Sequence, residues 1–249
     1  MSRPDAAEVS APASETARLL QIYRTLDERY RSETWHWMPH AVRGPIDIVA
    51  GAVLVQHTTW TNAERALDAL HAAGALDAHT LATMPLDEIA RLVRVSGTPS
   101  IKARRLRAVA GTIESAGGLD AFLALPQHQL RRRLLATHGI GPETADAILL
   151  YAAGRTVFVI DAYTRRLFTR LGLGPADGGY ASWQRYFEQA LAGVASVELF
   201  QRYHGHIVLH AKALCRATPR CAPCPLLPQC PEGRLRTAAG SRDHGAGSA

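Results

Sequence analysis

Apolar positions three and four residues apart recur along most of the chain, which is the spacing of an amphipathic helix. Segments with this pattern run over residues 15–30, 48–55, 180–191 and 197–214. A strand signal is confined to residues 156–160, where four apolar residues follow one another. The pattern therefore predicts an all-α fold.

A glycine turn joins two predicted helices in the middle of the chain. The turn is Gly139-Ile140-Gly141, and Pro142 follows where a helix begins and its missing N–H costs nothing. Glycine can take positive φ and bring backbone N–H groups close to a bound group. The start of the second helix therefore suits a phosphate of any nucleotide. An ordinary connection between two packed helices has the same sequence pattern.

The apolar run at residues 157–160 is followed by a single carboxylate, Asp161. An acid carried into apolar sequence is a candidate for chemistry, because burial changes its ionisation. Asp161 also stands where it could cap a helix that begins at Ala162. The local sequence leaves both roles open.

Two segments together resemble a known family. GIGPETADAILLYA followed by VFVIDAYTRR resembles the helix-hairpin-helix and Gly/Pro-Asp region of the endonuclease III superfamily of DNA glycosylases. The resemblance implies that Asp161 is the catalytic aspartate. It also implies that the hairpin binds DNA through Gly139, Ile140, Gly141 and Thr144.

One position departs from the bifunctional branch of that superfamily. That branch has a lysine, which forms a Schiff base with the sugar, two residues after the second hairpin glycine. Glu143 stands there in this chain, and a carboxylate cannot form an imine. The departure implies a monofunctional glycosylase, although Glu143 also complements the positive end of the helix. Lys212 matches a lysine near the base pocket of the 3-methyladenine subgroup and is a further candidate for the catalytic site.

A polar segment at the end of an apolar helix carries a second resemblance. Gln56-His57-Thr58-Thr59-Trp60 resembles the segment by which this superfamily fills the space left by a flipped nucleotide. The match implies that Gln56 is the wedge and that His57 lies beside it at the DNA. Polar groups that cap the end of the helix would give the same pattern.

Aromatic residues indicate a base pocket. Trp37-Met38-Pro39 resembles the Trp-Trp-Pro start of the 3-methyladenine glycosylase subgroup, with Met38 in place of the second tryptophan. Trp60 falls where that subgroup has an aromatic residue that stacks on the extruded base. The resemblance implies a pocket formed by Trp37, Met38 and Trp60. Clustered tryptophans beside a proline would also suit a hydrophobic core.

All four cysteines fall between residues 215 and 230, at Cys215, Cys221, Cys224 and Cys230. With none left over and no secretion signal, a metal site is favoured over disulfides. Zinc sites usually use pairs of ligands about two to four residues apart, and only the middle pair has that spacing. A [4Fe–4S] cluster, which takes four thiolates, fits better. The pattern resembles the endonuclease III iron–sulfur loop with a first gap one residue shorter, and implies a structural cofactor.

Charge adds modestly to the case for nucleic acid. The net charge is +6, and it is carried by arginine because Lys102 and Lys212 are the only lysines. Arginine matches phosphate geometry. Basic runs occur at residues 102–107 and 131–133, and they fit either a solvated helix face or contacts to a DNA backbone.

The ends of the chain and its hydropathy set further limits. No apolar run is long enough to span a membrane, and the first residues lack the pattern of a secretory signal. We therefore expect a cytoplasmic, nucleoid-associated protein without a membrane partner. Residues 1–14 and 232–249 lack periodicity and are predicted to be disordered tails.

The resemblance covers roughly residues 37–230 and implies two helical lobes. One is a six-helix barrel with the hairpin, at 37–152, and the other is an iron–sulfur lobe formed by 15–36 and 153–231. DNA would bind in the groove between the lobes, at the hairpin. The partner implied is double-stranded DNA with a damaged base, bound by a monomer.

The function implied is hydrolysis of the N-glycosidic bond of a flipped, damaged base. Alkylated purines such as 3-methyladenine are the first substrate hypothesis, and oxidised pyrimidines are the alternative. A protein that binds damaged DNA without cutting it is a hypothesis of another class, and an iron–sulfur redox protein is a third. Retention of Asp161 favours the enzyme.

Overall fold

The computed structural model describes residues 13–33, 44–176 and 178–243. Regular structure within these ranges is helical and no strand forms there, which confirms the predicted all-α fold. The chain divides into two compact units. We call Thr34–Val159 the hairpin unit, and Met1–Glu33 together with Ile160–Ala249 the cysteine unit. Helices are numbered in chain order.

A central apolar helix organises the hairpin unit. Helix α2 is buried from Asp47 to Leu54, as expected of a helix that is apolar on all sides, and neighbouring helices cover it. A 3-10 turn at Arg94–Ser96 precedes α6, and a π-helical turn at Ile148–Ala152 continues α9. The described helices are α2 (Pro45–Leu54), α3 (Trp60–Ala72), α4 (Ala78–Thr83), α5 (Leu86–Leu92), α6 (Pro99–Glu114), α7 (Leu119–Ala124), α8 (Gln127–Ala136) and α9 (Pro142–Ala147).

In the cysteine unit, helix α12 packs against both α1 and α10. Its Tyr203 is fully buried and donates a hydrogen bond to the carbonyl of Leu19 at 2.7 Å. Short 3-10 turns lie at Ala192–Val194 and Leu227–Gln229. The described helices are α1 (Ala13–Tyr30), α10 (Ala162–Arg170), α11 (Tyr180–Ala190), α12 (Val197–Ala213) and α13 (Pro231–Asp243).

The helices predicted from apolar periodicity are confirmed. The patterns at residues 15–30, 48–55, 180–191 and 197–214 correspond to α1, α2, α11 and α12. The strand-like run behaves differently. Val157, Phe158, Val159 and Ile160 are at most 3% exposed, yet within the described residues no strand pairs with them. Burial accounts for this apolar run, and strand pairing does not.

The C-terminal region differs from the predicted tail. Pro231–Asp243 is helix α13, whereas a disordered tail was expected from residue 232. Pro231 begins the helix, where proline is favoured, and Glu232 forms an ion pair with Arg236 one turn later at 2.6 Å. The N–H of Gly233 donates to the Cys230 sulfur at 3.3 Å. Helix α13 has no apolar face, and the Glu232–Arg236 ion pair and the hydrogen bond to Cys230 therefore stabilise it instead.

The basic run on α6 is not simply a solvated face. Lys102 is 1% exposed, and its Nζ donates to the carbonyl of Leu54 at 2.6 Å and to that of Ser96. Arg107 donates to the carbonyl of Met84, while Arg104 is exposed. Two of the four basic residues of this run thus bind backbone inside the hairpin unit. One of them, Lys102, holds the last residue of α2.

No helix in the described ranges has the length and apolar character needed to cross a bilayer.

Lys102 predicts a pH dependence of stability. Burial, and then the charge of Arg105, lowers the pKa of Lys102 from 10.5 to about 8. The folded protein thus loses this proton at a lower pH than the unfolded chain does. The free energy of unfolding should therefore rise from about pH 8 to 10.5, by about 3 kcal/mol from this group. Urea unfolding of the wild type and Lys102→Met across this range measures the rise, which the variant should lack.

The matched control is Arg104→Met, because Arg104 is exposed on the same helix. This variant should keep the wild-type rise. An undiminished rise in Lys102→Met would contradict the assignment to Lys102.

Candidate functional site

The glycine turn between α8 and α9 has one strained position. Gly139 has φ +82°, whereas Gly141 is extended at φ −92° and ψ 177°. The sequence allowed positive φ at both glycines, and only Gly139 uses it. A Cβ on Gly139 would lie 2.6 Å from Cδ of Arg105, while a Cβ on Gly141 would meet nothing within 4 Å. Glycine is therefore required at Gly139 both by conformation and by the packing of Arg105.

An ion pair fixes the two helices of the hairpin to each other. Arg131 on α8 donates from Nε to Oδ1 of Asp146 at 2.7 Å and from Nη2 to Oδ2 at 3.0 Å. Asp146 lies on α9 and is fully buried. Two parallel bonds of this kind fix orientation as well as distance. Arg131, which the sequence placed in a basic run, therefore has a structural partner.

The hairpin residues predicted to bind DNA differ in their accessibility. The N–H of Ile140 donates to the carbonyl of Thr137 at 3.1 Å, and the Ile140 side chain is 6% exposed. Thr144 is 8% exposed, whereas Gly141 and Glu143 are exposed at the start of α9. The surface that a phosphate could reach thus lies at Gly141 and the first turn of α9.

Gln56 is bonded to the hairpin. Its Nε2 donates to the carbonyl of Gly139 at 3.2 Å and to Oγ1 of Thr144 at 3.0 Å. Arg105 donates to the Gln56 Oε1. His57, the next residue, is exposed and has φ 56°. A wedge role for Gln56 would require these hydrogen bonds to be exchanged for contacts with DNA.

Trp60 begins α3, directly after Thr59, which caps that helix. The indole is partly exposed and lies against Gly51 of α2, where a Cβ would come within 3.3 Å of the ring. Gly51 thus makes room for the aromatic side chain, a role that the sequence analysis did not identify. The other two pocket candidates, Trp37 and Met38, lie outside the described residues.

Asp161 caps α10, so the capping role is real. Its Oδ1 accepts a hydrogen bond from the N–H of Thr164 at 2.6 Å, and the residue is 8% exposed. Its second oxygen, Oδ2, lies 3.6 Å from Nε2 of His204. Capping does not exclude chemistry, because it occupies one oxygen and holds the other in place.

The surroundings of Asp161 favour its ionised form over its protonated form. Burial alone would raise the pKa of this group, but the neighbouring His204 and the bonds from Thr164 outweigh it and hold the pKa below its usual value. Lys212 is affected in turn: burial lowers its pKa, and the charge of Asp161 partly opposes that. The cysteine unit therefore contains an ionised acid that interacts with an amine.

Helix α12 carries three buried histidines with different polar neighbours. His204 faces Asp161, His206 has Nδ1 3.8 Å from Oδ1 of Asp27, and His210 has Nδ1 3.1 Å from the Tyr30 hydroxyl. The sequence analysis missed His204 as a neighbour of Asp161, because no motif links residues so far apart in the chain.

The four cysteines line one pocket of the cysteine unit. None of them forms a disulfide. Leucine side chains such as Leu167, Leu214 and Leu226 form apolar walls. Within the described residues, no three His, Cys, Asp or Glu side chains converge as ligands of one metal ion. The cysteines thus share a pocket without converging on one point.

Hydrogen-bond donors face two of the cysteine sulfurs in this pocket. Nη1 of Arg170 donates to the Cys215 sulfur at 3.3 Å, and the N–H of Gly233 donates to that of Cys230 at the same distance. Such donors stabilise thiolate ligands. Burial, together with the other cysteines, raises the pKa of Cys224 to about 11 although an N–H bond opposes it. Four thiolates would therefore need a bound cation.

Comparison with known proteins identifies the family. The model for the HhH-GPD superfamily base excision DNA repair proteins matches residues 50–192. A protein of Methanocaldococcus jannaschii described as a DNA repair glycosylase is 36% identical over 215 residues, which is 85% of this chain and 95% of that protein. Endonuclease III of Sulfolobus acidocaldarius is 26% identical over 84% of this chain and 94% of its own length.

Solved structures agree with this result. A Helicobacter pylori 3-methyladenine DNA glycosylase bound to 1,N6-ethenoadenine has a TM-score of 0.67 and 28% identity, over 78% of this chain and 97% of that one. An endonuclease III–DNA complex has a TM-score of 0.74 at 20% identity, over 90% and 98% of the two chains, and so shows the same fold. The chain belongs to the HhH-GPD superfamily of base excision DNA repair proteins.

Proposed function

We propose that this member of the base excision glycosylases hydrolyses the N-glycosidic bond of alkylated purines such as 3-methyladenine in double-stranded DNA. The product is an abasic site with an intact backbone. The observation that carries the proposal is the buried Asp161 carboxylate, which its surroundings keep ionised at neutral pH.

Charge is the basis of the proposed mechanism. As the glycosidic bond breaks, the sugar gains oxocarbenium character, and a fixed negative charge stabilises it. Asp161 supplies that charge, and it orients or deprotonates the attacking water. Because Thr164 holds Oδ1, the position of the carboxylate is set before substrate binds.

A base within a duplex must first be rotated out, which costs a few kcal/mol and least for a damaged base. We propose that Gln56 fills the space that the rotated nucleotide leaves in the duplex, with His57 beside it at the DNA. The hairpin, through Gly139, Gly141 and the first turn of α9, holds a backbone phosphate. Gln56 donates to Gly139 and Thr144 in the free protein. Insertion of Gln56 into DNA would therefore break two hydrogen bonds that it makes to the hairpin.

The amines of the chain support a monofunctional enzyme. Glu143 occupies the position of the Schiff-base lysine and cannot form an imine. Lys102 is buried with its Nζ bonded to two carbonyls, which leaves it unable to reach a sugar. Lys212 is exposed and interacts with Asp161, and we assign it a supporting electrostatic role beside that carboxylate.

The substrate assignment rests on Trp60 and on one relative. An alkylated purine carries a positive charge, which an indole face attracts, and the Trp60 ring is partly exposed. The resemblance to the 3-methyladenine subgroup also assigns a role in base binding to Trp37 and Met38, which lie outside the described residues. The H. pylori relative at 28% identity is a 3-methyladenine DNA glycosylase, which supports the same substrate class.

We propose a [4Fe–4S] cluster at Cys215, Cys221, Cys224 and Cys230. Such a cluster binds four thiolates and is a cofactor of electron transfer or structure. Here its role is structural. The cysteine sulfurs, with donors from Arg170 and Gly233, fix the loop that joins α12 to α13.

A lesion panel tests the proposed activity. Purified protein is offered duplexes with 3-methyladenine or thymine glycol, and products are analysed with and without alkali. We expect release of 3-methyladenine and strand breaks only after alkali. Asp161→Asn should lose at least about 100-fold in single-turnover rate and keep DNA affinity, because asparagine also caps helices.

Other outcomes identify the alternatives. Release of thymine glycol but not 3-methyladenine would overturn the substrate assignment. Borohydride trapping of the protein on DNA would overturn the monofunctional assignment, and Lys212→Met would test the amine responsible. DNA binding without release of any base would show a recognition protein.

The two hairpin glycines should differ in what a methyl group does to the stability of the protein. Gly139→Ala places a methyl group against Arg105 at positive φ, so we expect a loss of about 2 kcal/mol in the free energy of unfolding and weaker DNA binding. Gly141→Ala is the control for stability, because its Cβ meets nothing within 4 Å. Thermal unfolding and fluorescence anisotropy measure both effects. Equal behaviour of the two variants would refute the role of Gly139.

The metal content of anaerobically purified protein tests the cofactor. We expect iron and acid-labile sulfide in equal amounts, one iron for each of the four cysteines. Cys224→Ser should lower both and reduce thermal stability, since the cluster holds the loop. A single zinc ion per chain without sulfide would contradict the cluster.

A further inference from the structure

A buried histidine lies beside the candidate catalytic carboxylate. The side chains of His204 and Asp161 are each 10% exposed, and Nε2 lies 3.6 Å from Oδ2. That separation is slightly beyond a hydrogen bond, so a small rotation of either side chain closes it. Oδ1 is already held by the N–H of Thr164 at 2.6 Å, and the orientation of Oδ2 therefore depends on His204.

We propose that His204 is a positioning residue for Asp161. Its imidazole fixes the orientation of Oδ2 and so the position of the negative charge that the carboxylate offers to the sugar. This inference rests on the proposed function of Asp161 and adds a residue to it.

The chemistry of the pair gives the direction of the effect. A neutral imidazole donates an N–H and leaves the charge of Asp161 in place, as orienting partners of catalytic groups do. Loss of this donor should therefore let the carboxylate move and slow base release.

Other charged groups near α12 have different partners. From α1, Asp27 lies 3.5 Å from Arg202 and 3.8 Å from His206, and Tyr23 stacks on His206. From α10, Arg166 and Arg170 donate to the Cys215 and Arg216 carbonyls. On α12 itself, Lys212 interacts with Asp161, so its charge is a constant background in the variants below.

Two substitutions separate the effects of orientation and charge. His204→Leu removes the ring donor and keeps an apolar side chain, whereas His204→Gln keeps an N–H donor that cannot ionise. We expect His204→Leu to slow single-turnover base release about 10- to 100-fold, as small misplacements of catalytic groups do. We expect His204→Gln to restore most of the rate at neutral pH.

The pH profiles of the two variants should differ. In His204→Leu the carboxylate loses a partner that lowers its pKa, so the acid limb should move to higher pH. In His204→Gln the amide keeps a hydrogen bond but not the electrostatic contribution of the ring, so the acid limb should lie between those of the wild type and His204→Leu. A purely structural role of His204 would not separate the two profiles.

His206 provides the matched control. It is buried on the same helix but faces Asp27, so His206→Leu and His206→Gln should keep the wild-type rate and pH profile. If His204→Leu behaved like His206→Leu in both, the proposal would be overturned.

A measurement without substrate separates this inference from the proposed function. Carbon-13 NMR titration of the Asp161 carboxyl should give a higher pKa in His204→Leu than in the wild type, and an unchanged value would refute the positioning role. This result stands even if the wild type releases no base, which would refute only the activity. If thermal unfolding shows that His204→Leu does not fold, a His204→Gln acid limb or titration identical to the wild type overturns the proposal.

Discussion

The cost of holding charge inside a helical protein is the constraint on which both units depend. A buried ion needs partners that replace water, and here those partners belong to the segments with proposed functions. In the hairpin unit, buried Asp146 binds Arg131, and this pair fixes α8 against α9. Lys102 donates to the carbonyl of Leu54, the last residue of α2 and two residues before Gln56, and to that of Ser96. The contacts that stabilise these buried charges therefore also hold the helices of the hairpin in place.

Asp161 meets the same constraint in the cysteine unit. The N-terminus of α10 supplies a positive dipole end, Thr164 supplies an N–H and His204 supplies a ring nitrogen. These three sources keep ionised an acid that burial alone would neutralise. A helix cap and a catalytic carboxylate are thus compatible, because the features that make a good cap also keep the acid charged.

The sequence predicted the features that depend on neighbouring residues. Apolar periodicity located α1, α2, α11 and α12, and the run before Asp161 correctly indicated burial. Features that depend on distant residues were not predictable. No local pattern shows that Lys102 points inward, that Gln56 binds Gly139, or that His204 faces Asp161. The C-terminal helix α13 was missed because it has no apolar face and is anchored by its contact with Cys230.

The same two helices connect the cysteine pocket to Asp161. Asp161 caps the first turn of helix α10, which ends at Arg170, and Arg170 donates to the Cys215 sulfur. Helix α12 carries His204 and is followed by Cys215 within two residues of its end. Nine residues of α10 span about 13 Å, so a displacement at the pocket is carried along a rigid element to the carboxylate. A cluster at the cysteines would therefore act on the reaction by fixing the position of Asp161, without any redox step.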